Sequence, residues 1–414
     1  MGADAFVAAV RSGDAKAALA LLDAGADPDT VDGAGTPALC LAVDAFDLPV
    51  VEALLSAPRP VDLNRAAADG RTALLRAIDG GACEIASVLV ANGADLRLAD
   101  AEGRNALDLA RYWHVTGAEA ELRRRSGASE PVEREAVRDG WGNDCTELSL
   151  GGLTVRNGHT SILTELEPKH GIRRSFGELR DRALAEPDID QPVWSATTLA
   201  LSTRQDPSVW AQAAALRNRP DPLERHFGAE ILRLVNLFDE SDDAPFDGPL
   251  VDLFLPWVAR EADSRVMRAL AAGLAEAVDL RAEQPLPELT RHHDREVRRW
   301  AVSGLHWAVG RGNPEALTAV TARTRDAEAT VREGACRALG KAPEEFPGPS
   351  DALAACLDDD DEAVRVRAAV QLALRDDPRG DEVLRGLDTT DEDSPYRWDL
   401  LDVWRHRRAQ GTAD

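Results

Sequence analysis

Two tryptophans and three histidines lie close together in the C-terminal half of the sequence. Trp300 and Trp307 are seven residues apart, so both indoles share one face if the stretch is a single helix. Because Trp dominates binding hot spots, a partner surface is one interpretation, and packing in a core or groove is the other. Metal or acid–base chemistry would need a carboxylate to converge with His292, His293 and His306. Adjacent side chains on a helix diverge by about 100°, so His292 and His293 would chelate poorly.

Arginines recur at one register in this half. Arg298, Arg332, Arg365 and Arg397 each follow the first apolar residue of a helical pattern. We expect a ladder of ion pairs with acids of neighbouring units, such as Asp294 or Asp361, each pair contributing about 0–1 kcal/mol if exposed. Direct contact with a ligand is the alternative.

Three motifs with known chemistry are incomplete. Gly334 and Gly340 are separated by five residues, and Ala342 stands where a phosphate-binding loop needs Ser or Thr. The run Asp358–Asp361 lacks the glycine and the final Glu of a calcium loop. No nucleophile-elbow sequence accompanies the Ser, His and Asp residues. We therefore predict no catalytic residue, no cofactor and no metal site.

The helices that must position these side chains recur with a near-constant period. An acid precedes the first apolar residue by three positions, and further apolar residues follow that residue at four and eight positions. These acids are Asp263, Asp294, Glu328, Asp361 and Asp393. The acid can cap its helix, and the apolar face must be buried. The steps from Val297 to Val331 and Val364 are 34 and 33 residues, which is typical of a solenoid.

This pattern resembles the HEAT repeat, whose second helix reads Asp-x-x-Val-Arg-x-x-Ala-x-x-x-Leu. Residues 294–305 and 361–372 match best, and about seven such helix pairs fill residues 172–414. The resemblance implies that the second helices line a concave face. Phycobilin lyases of similar build show that the fold can also host an enzyme. A bilin-lyase-like pocket in the C-terminal groove is therefore the alternative function.

The first 125 residues carry a different repeat. Gly70–Ala77 resembles the ankyrin signature Gly-x-Thr-Pro-Leu-His-x-Ala, with Ala73 for Pro and Leu75 for His. The matching residue of the next unit follows 33 residues later, which is the ankyrin period. About four units are expected in residues 1–125. The resemblance implies that partners are contacted by the turn tips and the face of the first helices.

Residues 126–171 fit neither repeat and are interpreted as an adapter. The polar stretch 126–142 predicts an exposed linker. Residues 148–155 predict a small hairpin around two glycines. The stretch that begins at Gly158 looks like an ankyrin second helix.

Composition excludes several classes of function. A net charge of −25 argues against binding a nucleic-acid backbone or an anionic membrane, and it favours basic protein partners. No apolar run is long enough to span a bilayer. The five cysteines are scattered without a CxxC pair, which predicts small buried residues in a reducing cytoplasm and neither a disulfide frame nor a zinc site.

These observations predict an all-α double α-solenoid with ankyrin repeats followed by HEAT-like repeats. We expect a monomeric, cytoplasmic, non-enzymatic scaffold that binds proteins or peptides on its concave repeat surfaces. The residues expected to contact partners in the ankyrin half are Asp69, Arg71, Arg76, Asp79, Arg104, Asp108 and Arg111. Those expected in the HEAT half are Arg298, Trp300, Trp307, Arg332 and Arg365.

Overall fold

The structure is a computed structural model that describes residues 2–204, 206–241, 245–387, 394–409 and 411. Contacts between residues divide the chain into two compact units, Met1–Gln205 and Asp206–Asp414. Each unit is built of paired, stacked helices, as the prediction of an all-α solenoid requires. Within the described residues, the helices are all too short or too polar to cross a membrane.

The N-terminal unit stacks its helices in two rows. Its helices are α1 (Gly2–Arg11), α2 (Ala15–Asp23), α3 (Ala38–Asp44), α4 (Leu48–Leu55), α5 (Ala73–Gly80), α6 (Cys83–Ala91), α7 (Ala106–Thr116), α8 (Ala118–Ser126), α9 (His159–Lys169), α10 (Phe176–Leu184) and α11 (Pro192–Ser202). Helices α1, α3, α5 and α7 form one row, and α2, α4 and α6 form the other. Helix α9 extends the second row by packing against α6 and α7. The sequence beginning at Gly158 therefore does act as a second helix of the array.

Tight turns and capping side chains set the register of these repeats. Thr72 accepts a hydrogen bond from the Leu75 N–H at the start of α5, and Asn105 caps α7 in the same way. The turn tips before these helices need a left-handed residue, which is Gly70 in one tip, with φ +78°. The apolar faces of the paired helices then close into one core.

A small antiparallel sheet follows α8. Its strands β1 (Glu133–Arg138), β2 (Asp144–Leu150) and β3 (Leu153–Arg156) pair in the order β1-β2-β3. The β2–β3 pair confirms the predicted hairpin, and Leu148, Leu150 and Val155 are buried in the core of the ankyrin helices. The polar stretch 126–142, predicted as an exposed linker, contains β1. The side chains of β1 are mostly charged and exposed, so they do not alternate between apolar and polar as a strand pattern requires. The strand forms because its main chain pairs with β2.

The segment after the sheet crosses the third repeat at very close range. The Gly158 N–H donates to the Gly81 carbonyl at 3.2 Å. A Cβ on Gly81 would lie 2.0 Å from the Arg156 carbonyl oxygen, and Gly81 also has φ +68°. Only glycine fits there, so this contact fixes the sheet and α9 on the repeats.

The C-terminal unit again forms two helical rows. Its helices are α12 (Pro207–Ala215), α13 (Pro222–Leu237), α14 (Asp247–Val258), α15 (Ser264–Glu276), α16 (Leu286–Leu289), α17 (Arg295–Gly304), α18 (His306–Gly310), α19 (Pro314–Arg323), α20 (Ala329–Leu339), α21 (Pro347–Ala354), α22 (Glu362–Ala373), α23 (Asp381–Arg385) and α24 (Arg397–Ala409). One row runs through α13, α15, α17, α20, α22 and α24, and the other includes α16, α19 and α21. The predicted apolar face is buried, with Ala335 and Ala368 both at 0% exposure.

The predicted acidic caps are confirmed in three helices of this unit. The side chains of Asp263, Asp294 and Asp361 accept hydrogen bonds from main-chain N–H groups in the first turns of α15, α17 and α22. The prediction is wrong for Glu328, whose side chain makes no capping bond in the described structure. Its extra methylene suits a cap poorly, and Asp326 accepts from the Glu328 N–H instead. Asp393 lies outside the described residues.

Candidate functional site

Asp79, at the end of α5, is the centre of a buried ionic cluster in the N-terminal unit. Arg125 donates to both carboxylate oxygens of Asp79, each at 2.7 Å, and Arg71 donates to Oδ2 at 2.7 Å. The Trp113 indole N–H adds a bond of 3.0 Å to Oδ1. Burial would raise the pKa of Asp79, but the guanidinium of Arg125 outweighs it and the pKa is lowered. Asp79 is therefore a buried anion held by two cations.

Glu121 extends this cluster along α8. The Arg125 Nε donates to its Oε1 at 2.6 Å, while Tyr112 and Arg124 donate to its Oε2 at 2.6 and 2.7 Å. Burial opposes ionisation, yet these donors lower the pKa of Glu121 to about 2. Helix α8 is thereby tied to α5 and α7 through charge.

His159 closes the cluster from the far side. Its ring stacks on Trp113, with centroids 4.3 Å apart and planes 14° from parallel, and its Nε2 lies 3.3 Å from the Asp79 carbonyl oxygen. Burial lowers the pKa of His159 to about 4, so the ring is neutral near pH 7. The Arg125 guanidinium carbon lies 4.7 Å from the centre of the Trp113 ring, within range of a cation–π interaction.

The other predicted residues of this half are paired to differing degrees. Arg76 bridges Asp44 and Asp69, at 2.5 and 2.7 Å. Arg104 binds Asp100 at 2.7 Å and lies 4.9 Å from the Tyr112 ring. The residues that keep the most accessible side chains are Asp69, Asp108 and Arg111, at 47%, 46% and 44%. The predicted set is thus split between a buried cluster and an exposed fringe.

Sequence reasoning missed six members of this cluster, none of which carried a motif: Tyr112, Trp113, Glu121, Arg124, Arg125 and His159. They converge because α8 turns toward the sheet and α9 packs against α7. Helix α9 is the predicted second helix, whereas the turn of α8 has no signal in the local sequence.

Two of the four arginines that were expected to form a ladder, Arg298 and Arg332, make ion pairs with acids of the next helix pair. Arg298 donates to Asp326 at 2.9 and 2.8 Å, and Arg332 donates to Asp359 at 2.8 and 2.7 Å. The paired acids are not the expected capping residues Glu328 and Asp361. They are Asp326 and Asp359, which lie two positions earlier, in the loop before the second helix of the next repeat. Burial would raise the pKa of Asp326, but Arg298 lowers it.

Each of these arginines also fastens the loop before its own helix. Arg298 Nη1 donates to the carbonyls of His292 and His293, both at 3.0 Å. Arg365 Nη1 donates likewise to the carbonyls of Asp359 and Asp360, at 2.6 and 3.0 Å. The guanidinium groups are committed to contacts within the chain. The fourth, Arg397, lies 5.9 Å from the Trp398 ring.

The two tryptophans do not share one helical face. Helix α17 carries Trp300 and ends at Gly304, and Trp307 stands on the separate helix α18. Trp300 is half-buried under the Arg299 guanidinium, 4.4 Å away, whereas Trp307 is 68% exposed.

His292 and His293 lie in the loop before α17, where their ring centroids are 4.2 Å apart and their planes are tilted by 31°. His292 Nδ1 accepts from the Asp294 N–H, and His293 Nε2 lies 2.8 Å from the Ser264 hydroxyl. These ring nitrogens therefore make hydrogen bonds that hold the loop. Among the described residues, no carboxylate lies close enough to these histidines to form a metal-binding group with them.

A groove of about 910 Å³ lies between α19 and α21 in this unit. Phe346, Pro349 and Leu317 give it a mostly apolar lining, and Asp351 and Cys356 are among its polar members. Its described lining contains no histidine, the partner that a carboxylate would need for acid–base work.

This construction defines a helical-repeat protein in both units. The family model described as ankyrin repeats, in three copies, matches residues 6–100 and 39–116, and the model described as HEAT repeats matches residues 251–340. The chain therefore joins N-terminal ankyrin repeats to C-terminal HEAT repeats, as predicted. The ankyrin match ends with α7, at the point where α8 leaves the rows.

No curated protein sequence matches the chain. Among solved structures, the chain is similar to the X-ray structure of YibA from Escherichia coli, at 15% identity and a TM-score of 0.44. The similarity covers 59% of this chain and 84% of YibA. At that score it carries no argument about this protein. Repeats of both kinds are generally protein-interaction modules.

Proposed function

We propose that the protein is a non-enzymatic scaffold that binds protein or peptide partners on the surfaces of its two repeat units. The observation that carries the proposal is the exposure of large aromatic side chains in the C-terminal unit. Trp307 and Trp398 are 68% and 69% exposed, and Trp404 is 47% exposed. An exposed indole costs solvation free energy, and Trp is enriched where partners bind.

The proposed contacts in the HEAT repeats centre on Trp307 and the neighbouring edge of Trp300. Arg298, Arg332 and Arg365 each bind main-chain carbonyls in the loop before their own helix. They hold the loops that set the helix positions, so we assign them to shaping the surface and not to touching the partner.

In the ankyrin repeats, the proposed contacts come from the exposed fringe. Asp69, Asp108 and Arg111 offer side chains that a partner can reach, and Arg76 and Arg104 stand beside them in weaker solvent contact. Arg71 and Asp79 act from within the buried cluster as supports of the first-helix face. The net charge of −25 supports basic partners, whose association should weaken as salt rises.

The proposal extends to the setting of the protein. Five free cysteines, four of them buried, suit a chain that folds in a reducing compartment, and we propose the cytoplasm. We also propose that residues 1–125 and 172–414 supply the partner-binding repeats, with residues 126–171 as the adapter.

The test is capture of partners from the source cells with the full chain as bait, followed by affinity measurement on each partner identified. Trp307→Ala should weaken binding by more than about tenfold if the indole is a hot spot. Trp398→Ala tests the second indole, which is equally exposed but lies on α24. If neither substitution changes the affinity for the partner, and the affinity is the same at low and high salt, the proposed binding surface is wrong.

The same capture addresses the bilin-lyase-like alternative. Retention of a small molecule in place of a protein, with loss of that molecule after Phe346→Ala in the groove between α19 and α21, would favour an enzyme or carrier.

A further inference from the structure

A thiol and two carboxylates meet where the sheet covers the third ankyrin repeat. Cys83 and Glu84 begin α6, and Asp139 opens the turn between β1 and β2. The Cys83 Sγ, one Glu84 oxygen and one Asp139 oxygen all lie within 4.8 Å of one another. Glu84 and Asp139 are buried, at 1% and 7% exposure. These three atoms could therefore contact one ion.

The Glu84 carboxylate is only half satisfied. Its Oε1 accepts from Arg156 Nη1 at 2.6 Å, whereas its Oε2 is buried and has no hydrogen-bond partner in the described part of the chain. A buried carboxylate oxygen without a donor is costly, so native structures rarely leave one. This oxygen points to a ligand that supplies positive charge.

The charges around the cluster leave room for a divalent cation. A Cys83 thiolate, Glu84 and Asp139 carry three negative charges, and Arg156 offers one positive charge that it also shares with Glu147 at 3.1 Å. Because Arg156 is shared with the Glu147 carboxylate, the cluster has an excess of negative charge once Cys83 is a thiolate, and a divalent cation would reduce that excess.

The turn that carries Asp139 is held firmly in place. Asp139 Oδ1 accepts from the N–H groups of Trp141 and Asn143, at 2.9 and 2.8 Å, and its Oδ2 accepts from Asn143 Nδ2 at 3.0 Å. Gly140 is pressed on Leu48, where a Cβ would come within 2.3 Å of the Leu48 Cβ. Asp139 Oδ2 accepts only one of these bonds and so keeps a lone pair for a metal, in a geometry fixed by the fold.

We propose that Cys83, Glu84 and Asp139 bind a zinc-type divalent cation that fastens the sheet to the third ankyrin repeat. The thiolate selects Zn²⁺ or a similar ion over Ca²⁺ and Mg²⁺, which prefer sites made of oxygen alone. Three protein ligands leave one position of a tetrahedron for water or a further donor.

The site is absent from the sequence prediction for a clear reason. The scattered cysteines predicted no zinc site because no CxxC spacing occurs. Cys83 and Asp139 are 56 positions apart (139 − 83), and only the crossing of the sheet over α6 brings them together.

Cobalt titration of the full chain tests the proposal. The protein, freed of any histidine tag and stripped with EDTA, should bind one equivalent of Co²⁺ with a thiolate-to-cobalt absorption band that Zn²⁺ abolishes. Zn²⁺ should also raise the thermal unfolding temperature of the stripped protein. Cys83→Ser should remove the thiolate band, and Glu84→Gln should lower the Co²⁺ affinity more than about tenfold.

The matched control is Cys40→Ala, which removes another buried thiol of the same unit. Circular dichroism establishes whether each variant is folded. If Cys83→Ser does not fold, Glu84→Gln still tests the site. A stripped wild-type protein with no thiolate band and no Zn²⁺-dependent rise in unfolding temperature would overturn the proposal. Co²⁺ binding that is equal in Cys83→Ser, Glu84→Gln and wild type would overturn it as well.

Discussion

The ankyrin and HEAT units use arginine–carboxylate pairs in opposite ways. In the HEAT unit, Arg298–Asp326 and Arg332–Asp359 join residues 28 and 27 positions apart, so the same bond is repeated from one helix pair to the next. In the ankyrin unit, Arg125–Asp79 and Arg156–Glu84 join residues 46 and 72 positions apart and occur once each. A ladder distributes its stabilisation over many rungs, whereas a cluster concentrates it at one carboxylate.

The largest effect is expected when the centre of the cluster is neutralised. Asp79→Asn leaves the partly buried Arg71 without its carboxylate partner and Arg125 with Glu121 alone, so the free energy of unfolding should fall by about 3–5 kcal/mol. Urea unfolding of the full chain, followed by circular dichroism, measures this loss. Asp108→Asn, at a half-exposed carboxylate, is the control and should change the free energy by no more than about 0.5 kcal/mol. Equal losses in the two variants would mean that Asp79 is not central.

A second effect is expected in acid, at His159 in the ankyrin unit. The pKa of His159 is lowered from 6.5 to about 4, so the folded state binds fewer protons than the unfolded chain between those values. The stabilisation is complete above pH 6.5 and is lost as the pH falls through 4, to a total of roughly 3 kcal/mol.

Unfolding free energies measured between pH 7 and pH 4 check this prediction. His159→Phe keeps a ring against Trp113 but cannot titrate, so the fall in stability across this window should become shallower. A wild-type stability that does not fall between pH 6.5 and 4 would contradict the assignment.

The smallest effect is expected from one rung of the ladder. Asp359→Asn removes the charge that faces Arg332, but Arg332 keeps its bonds to the Asp326 and Ala327 carbonyls. The amide oxygen can still accept from the Asp361 N–H, as Asp359 does at 3.0 Å. The loss should therefore be about 1.5 kcal/mol, measured by the same urea unfolding. A loss as large as that of Asp79→Asn would erase the distinction between ladder and cluster.

The repeat architecture was determined by local sequence. The acid at the start of each HEAT second helix, the apolar positions at i, i+4 and i+8, and the signature at Gly70–Ala77 each act within a dozen residues. Caps, amphipathic faces and left-handed glycines are local in origin, so their consequences could be read without a structure. The arginine ladder followed from the same period, although its acids lie two residues earlier than the caps.

The sites that join distant segments were decided by tertiary structure alone. Strand β1 has an exposed, charged side-chain pattern and exists because β2 pairs with it. Arg125 meets Asp79 because α8 turns toward the sheet after the last repeat. Asp139 meets Cys83 only because the chain after α8 folds back over the third repeat through the close contact of Gly158 with Gly81. A periodic pattern specifies contacts between neighbours in a stack, whereas a crossing of one segment over another depends on the path of the whole chain.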